Sequence, residues 1–181
     1  EPKPGAWSFA HPALTHYLAA RAPSATLAAL TTHLADPDWR EIIALWAARS
    51  PDATTLLDRA LASFRSALPD APAAHLQALT TLVLRILEEM PDPPRDAREV
   101  ALVGALDTLQ RAQAEADTAT IRALGQSLAD HQGMLDTRDP IAGALALARY
   151  PSPHVRAAAV AALGASGSES VRRELRARLA D

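Results

Sequence analysis

Six histidines, at positions 11, 16, 33, 75, 131 and 154, are the side chains best suited to bind a metal or move a proton near neutral pH. None stands in the His-x-x-x-His spacing that puts two imidazoles on one helix face, and His11 and His16, five residues apart, fall on poorly matched faces. Cysteine is absent, which excludes thiolate nucleophiles, disulfides and zinc knuckles. Glu88 and Glu89 are adjacent carboxylates, but neighbours in a helix point roughly 100° apart and cannot share a proton. They read as a solvated helix end. No Gly-x-x-x-x-Gly-Lys-(Ser/Thr) occurs and Lys3 is the only lysine, so the chain lacks the loop that cradles nucleotide phosphates. No catalytic residue, metal site or cofactor is expected, and the chain is read as non-enzymatic.

Arginine is the other chemistry-bearing type. Arg172, Arg173, Arg176 and Arg178 crowd the C-terminal segment, with Arg156 shortly before them, against Glu169, Glu174 and Asp181. Locally the balance is positive, which makes these five arginines a candidate interaction surface. Arginines near a helix end also complement the macrodipole and pair with nearby carboxylates. Trp39 and Trp46, seven residues apart, are expected on one helix face as largely buried anchors between helices.

The elements that must hold these residues are helices. Only 4% of residues are aromatic while 49% are apolar, a composition that favours close-packed helices over sheets. A short polar residue followed by proline, the usual start of a helix, recurs at Asp36-Pro37, Ser50-Pro51, Asp139-Pro140 and Ser152-Pro153. Apolar residues then repeat at three- and four-residue spacing, as in Leu56, Leu57, Leu61 and Phe64. About ten helices follow, joined by short links, so sequential helices should lie as antiparallel neighbours in stacked hairpins. The stretch from Met90 to Arg95, with three prolines, is the best joint between two sub-arrays, residues 1–90 and 91–181, which could also form one continuous array.

A net charge of -3 gives no global attraction to nucleic acid or anionic membrane, and no apolar run reaches the roughly 18 residues that a spanning helix needs. A cytoplasmic protein that binds neither membrane nor nucleic acid is the expectation.

Two segments resemble known families. Ser152-Pro-His-Val-Arg-Ala-Ala-Ala-Val-Ala-Ala-Leu-Gly164, followed by Ser168 to Asp181, looks like one full HEAT repeat: Pro153, Val155, Arg156, Ala158, Ala159, Leu163 and Gly164 match its proline, valine-arginine pair, small residues and terminal glycine. The resemblance implies a HEAT-like α-solenoid, with Arg156 bracing the neighbouring repeat and Gly164 as a left-handed helix cap. Phe9-Ala-His11-Pro-Ala-Leu14-Thr-His16-Tyr17-Leu18-Ala-Ala20, then Asp36-Pro37-Asp-Trp39-Arg-Glu41, is similar to the end of the winged-helix region and the start of the helical array in NACHT-type signal-transducing NTPases. His16 stands at the position of that family's usual Glu.

That second resemblance implies a piece of a larger switch protein, in which an upstream NTPase reports to a helical sensor and His11 contacts the diphosphate of the bound nucleotide in the resting state. The partner would be another protein or the NTPase domain of the same chain. A free-standing HEAT-like adaptor is the alternative, and a nucleic-acid-binding HEAT-like protein a third reading, which the net acidity and few aromatics disfavour.

Overall fold

The computed structural model describes residues 12–131 and 142–165, together with 169, 172, 173, 176 and 177. Among them are nine α-helices and no strand: α1 (Pro12–Arg21), α2 (Leu27–Thr31), α3 (Arg40–Ala47), α4 (Ala53–Ala67), α5 (Ala73–Glu89), α6 (Arg95–Ala114), α7 (Thr118–His131), α8 (Ala142–Leu147) and α9 (Pro153–Ala165). The chain is all-α, as its composition requires. Among the described residues no helix is long and apolar enough to cross a membrane.

Of the three polar-proline pairs among the described residues, two begin a turn and one an α-helix. Asp36 accepts a hydrogen bond from the Asp38 amide and caps a 3-10 turn, Pro37–Trp39, so α3 starts only at Arg40. Ser50 likewise accepts from the amide of Asp52, and α4 starts at Ala53. Ser152-Pro153 opens α9 directly, while Asp139-Pro140 lies outside the described residues. In α4 the buried residues are Ala53, Leu56, Leu57, Ala60, Leu61 and Phe64, a single stripe of helical period. In α5 burial extends over Leu76, Leu79, Thr80, Leu82, Val83, Leu84, Ile86 and Leu87. This breadth follows from position, because α3, α4, α6 and α7 all pack against α5.

Packing follows a two-layer rule up to α7. Each odd helix packs on the next odd one, α1 on α3, α3 on α5 and α5 on α7, while α2 packs on α4 and the Phe64 ring of α4 meets Gly104 of α6. Helices α5 and α6 run antiparallel: the amide at the start of α5, on Ala73, meets Glu115 just beyond the end of α6. The last hairpin breaks the rule, because α8 packs on α7 and α9 on α6. Helices α6 and α9 also begin at the same end, where the Ser152 hydroxyl donates to Glu99 at 2.8 Å. The hairpin therefore sits on its predecessor with its two helices in exchanged layers. Most of the buried apolar residues form one cluster, from Leu30 to Leu163, on both sides of the Pro91–Pro94 link.

Two glycine and tryptophan expectations are corrected. Gly164 is not a left-handed cap: α9 continues through Ala165, and Gly164 is an exposed helical residue with open space where a side chain would stand. Trp39 and Trp46 are half-buried on the edge of the core. Trp39 lies in the 3-10 turn, off the regular helix of α3, and stacks on His33 with ring centres 4.0 Å apart.

Candidate functional site: an open groove across α3, α5 and α7

The odd-numbered layer exposes a polar face. There α5 carries Gln77, Thr81, Arg85 and Glu88 along one stripe, and α7 carries Ala123, Gln126, Ser127 and Asp130 along another, so the two helices wall a groove of about 510 Å³. Arg40 and Glu41, at the start of α3, complete its side, and Leu84, buried, lies in its floor.

Arg85 organises the site. Its Nε donates to Glu41 at 3.3 Å, Nη1 donates to Glu88 at 3.2 Å, and Nη2 lies 2.7 Å from Glu89 and 3.3 Å from Glu41. Partial burial disfavours the charged guanidinium, but hydrogen bonds and Coulombic attraction from these carboxylates outweigh it and hold the pKa above the ordinary arginine value. All four groups keep solvent contact, so each pair adds about 0–1 kcal/mol to stability. The network fixes the orientation of charged groups more than it holds the fold together. On the walls, Gln77 donates to Thr81 and Gln126 to Asp130, each four residues on. Every one of these groups is polar and presented on a rigid helix.

The residues singled out from sequence lie elsewhere. His11 and Arg178 fall outside the described residues. Arg156 is exposed and donates to the carbonyls of Tyr150 at 2.9 Å and Pro151 at 2.8 Å, so it ties down the turn that leads into its own helix. Arg172 pairs with Glu169 at 3.6 Å, and Arg173 and Arg176 are exposed. Glu88 and Glu89, read as a solvated helix end, both hold Arg85. His33 lies 3.8 Å from Asp36 as well as on Trp39. Among the described residues no group of three or more His, Asp and Glu side chains could hold a metal.

Sequence reasoning missed the groove, although a signal exists. Gln77, Thr81, Arg85 and Glu89 recur every four residues through a largely apolar helix. Such a stripe marks an exposed face, but only the stacking of α3 and α7 beside it makes a trough. No protein-family model matches the chain, and no curated protein and no solved structure is significantly similar to it.

Proposed function

We propose that this chain is a non-catalytic interaction module, a HEAT-like helical array that recognises a protein through the groove across α3, α5 and α7. One observation carries the reading: three helices stacked side by side present an open, polar, rigidly oriented face lined by charged, amide and hydroxyl groups. Arrays with next-but-one stacking expose long surfaces of this kind, which suit recognition of extended partners. Fold alone assigns no partner.

The NACHT-like segment from Phe9 to Glu41 supports a more specific form of the proposal, in which the module belongs to a switch NTPase and His11 senses its nucleotide. In that parent, His11→Ala removes a contact made only in the resting state and shifts the equilibrium towards the active one. Unchanged nucleotide exchange and unchanged assembly in that variant would leave the free-standing adaptor in its place.

The interaction reading is tested by placing a photo-crosslinking side chain at Ser127, in the groove, and separately at Asp58, on the exposed side of α4. A defined protein adduct from Ser127 and none from Asp58 is expected. Equal or absent adducts from both would overturn recognition through this face.

A further inference from the structure

Among the described residues, α1 stands at one end of the odd-numbered layer. Helices α3 and α5 each pack between two odd-numbered neighbours, whereas α1 packs on α3 at one side only. Ala20 is its one buried residue. Leu14, Leu18 and Tyr17 are 51%, 45% and 38% exposed, and they are the only large apolar side chains left so open among the described residues. Together with Arg21 they recur at three- and four-residue spacing, which puts all four within about 100° of one helix face. The terminal helices of an array need a polar outer face to remain soluble. The outer face of α1 is apolar instead.

Charge adds a second, independent observation. The Arg21 guanidinium donates to the Tyr17 hydroxyl at 2.9 Å and lies 5.6 Å from the centre of its ring, and the Arg49 guanidinium lies 6.0 Å from the same ring. An aromatic face attracts a cation but neutralises none of its charge. Helix α1 has no acidic residue, and neither arginine pairs with a carboxylate. Asp92 shares a hollow with Arg49 without an ion pair between them. Two cations therefore flank one end of an exposed apolar stripe.

These features narrow the occupant. A second copy of the same face would set cation against cation. An anionic membrane would meet the whole chain, whose net charge of -3 opposes it, while a single helix meets only this patch. From Leu14 to Arg21 the stripe runs roughly 10 Å, two helical turns, and a helix laid along it would repeat on the open side the contact that α1 makes with α3. We propose that the outer face of α1 docks an acidic amphipathic helix of another protein, its apolar side chains on Leu14 and Leu18 and its carboxylates at Arg21 and Arg49. This surface is separate from the groove across α3, α5 and α7, and its test does not depend on the groove.

The test titrates the whole 15N-labelled chain with an end-capped peptide of two Glu-Leu-Ala-Glu-Leu-Leu-Ala repeats, and with counterparts in which every Glu is Lys or every Leu is Ser. The Glu peptide is expected to shift amides within residues 13–21 and that of Arg49, to bind about tenfold more tightly than the Lys peptide, and to weaken with salt; the Ser peptide should shift nothing. Leu14→Ser with Leu18→Ser should abolish binding and, because both residues are exposed, leave the melting temperature nearly unchanged. Arg21→Gln with Arg49→Gln should remove the tenfold preference, while Arg59→Gln with Arg65→Gln, the same charge change at exposed positions on α4, should keep it. Equal binding of the Glu and Lys peptides, shifts confined to other helices, or no shift at millimolar peptide overturns the proposal. So does sedimentation showing a dimer that Leu14→Ser with Leu18→Ser dissociates, since the occupant is then a second copy. A shift of the Trp7 indole signal caused by that double variant without peptide also overturns it, because the chain's own first residues then cover the face.

Discussion

A methyl group on Gly104 of α6 would stand 2.8 Å from Cε1 and 3.0 Å from Cζ of the Phe64 ring on α4. Glycine in mid-helix costs about 1 kcal/mol relative to alanine, so Gly104→Ala should help if the helix alone mattered. The ring edge decides otherwise. The void beside it is only about 10 Å³, barely enough for one water, and cannot receive a displaced ring. Overpacking costs of about 1–3 kcal/mol exceed the gain in propensity. Gly104→Ala should therefore lower stability by roughly 1–2 kcal/mol in urea unfolding, and adding Phe64→Leu should recover part of the loss. A more stable single variant would show that α4 and α6 are not in close contact here.

Thr80 and Thr108 meet in the core between α5 and α6. The Thr108 hydroxyl donates to the Gly104 carbonyl at 2.8 Å, so across the 3.4 Å gap to Thr80 it is Thr80 that donates. Removing the acceptor strands a buried donor, whereas removing both leaves none, and the two changes should not add. Thr108→Val is expected to cost about 1–2 kcal/mol and Thr80→Val less than about 0.5, with the double variant close to Thr80→Val alone. Additive losses in thermal unfolding would mean that the two hydroxyls act separately.

Ala116 is the one non-glycine residue with positive φ among those described, at 56°. The amide of Asp117 bonds back to the Ala112 carbonyl at 2.9 Å and that of Ala116 to Gln113 at 3.2 Å, which ends α6 in a Schellman turn. A Cβ in this conformation costs about 1–2 kcal/mol, and Ala116 is exposed, so nothing is lost by removing it. Ala116→Gly should raise stability by about 0.5–1 kcal/mol, after the greater entropy of the unfolded glycine is deducted. A fall in the denaturation midpoint would contradict this end to the helix.

Asp117 then opens α7. Its side chain accepts from the Thr120 amide at 3.0 Å, and hydrogen bonds from the Thr120 side chain and backbone hold its carboxyl below the ordinary aspartate value. Because the folded pKa is the lower one, its contribution is fully present above the ordinary value of about 3.9 and is lost as pH falls through the folded value. Carboxyl NMR should place its midpoint below that of the unfolded chain. Asp117→Asn should flatten the acid limb of the stability curve without changing its slope near neutrality. A midpoint at or above the ordinary value would refute the cap.

Helical class, the apolar stripe of α4, and the span of α7 were all legible in the sequence, because each depends on interactions within four residues. Thr118 to His131 needed only the apolar period and a polar lead-in. Helix starts were less legible. Asp36-Pro37 and Ser50-Pro51 satisfy the same local rules whether the next turn is 3-10 or α, so the two outcomes look alike in sequence.

What only the tertiary structure decided are relations between residues far apart in the chain. The start of α5 has no side-chain cap of its own, since Pro72 supplies none; Glu115, 42 residues on, accepts the Ala73 amide at 3.1 Å. Arg111 donates to the Pro69 and Ala71 carbonyls in the same turn. Likewise Glu41 and Arg85, 44 residues apart, become partners only because α3 packs on α5, and α7 then closes the groove. The sequence by itself determined which faces are apolar and where the chain must turn, since those follow from local periodicity and capping. It left open which apolar faces meet, including the exchange of layers that sets α8 on α7 and α9 on α6, because faces of similar Ala and Leu content are nearly equivalent hydrophobically and only their detailed fit chooses between them.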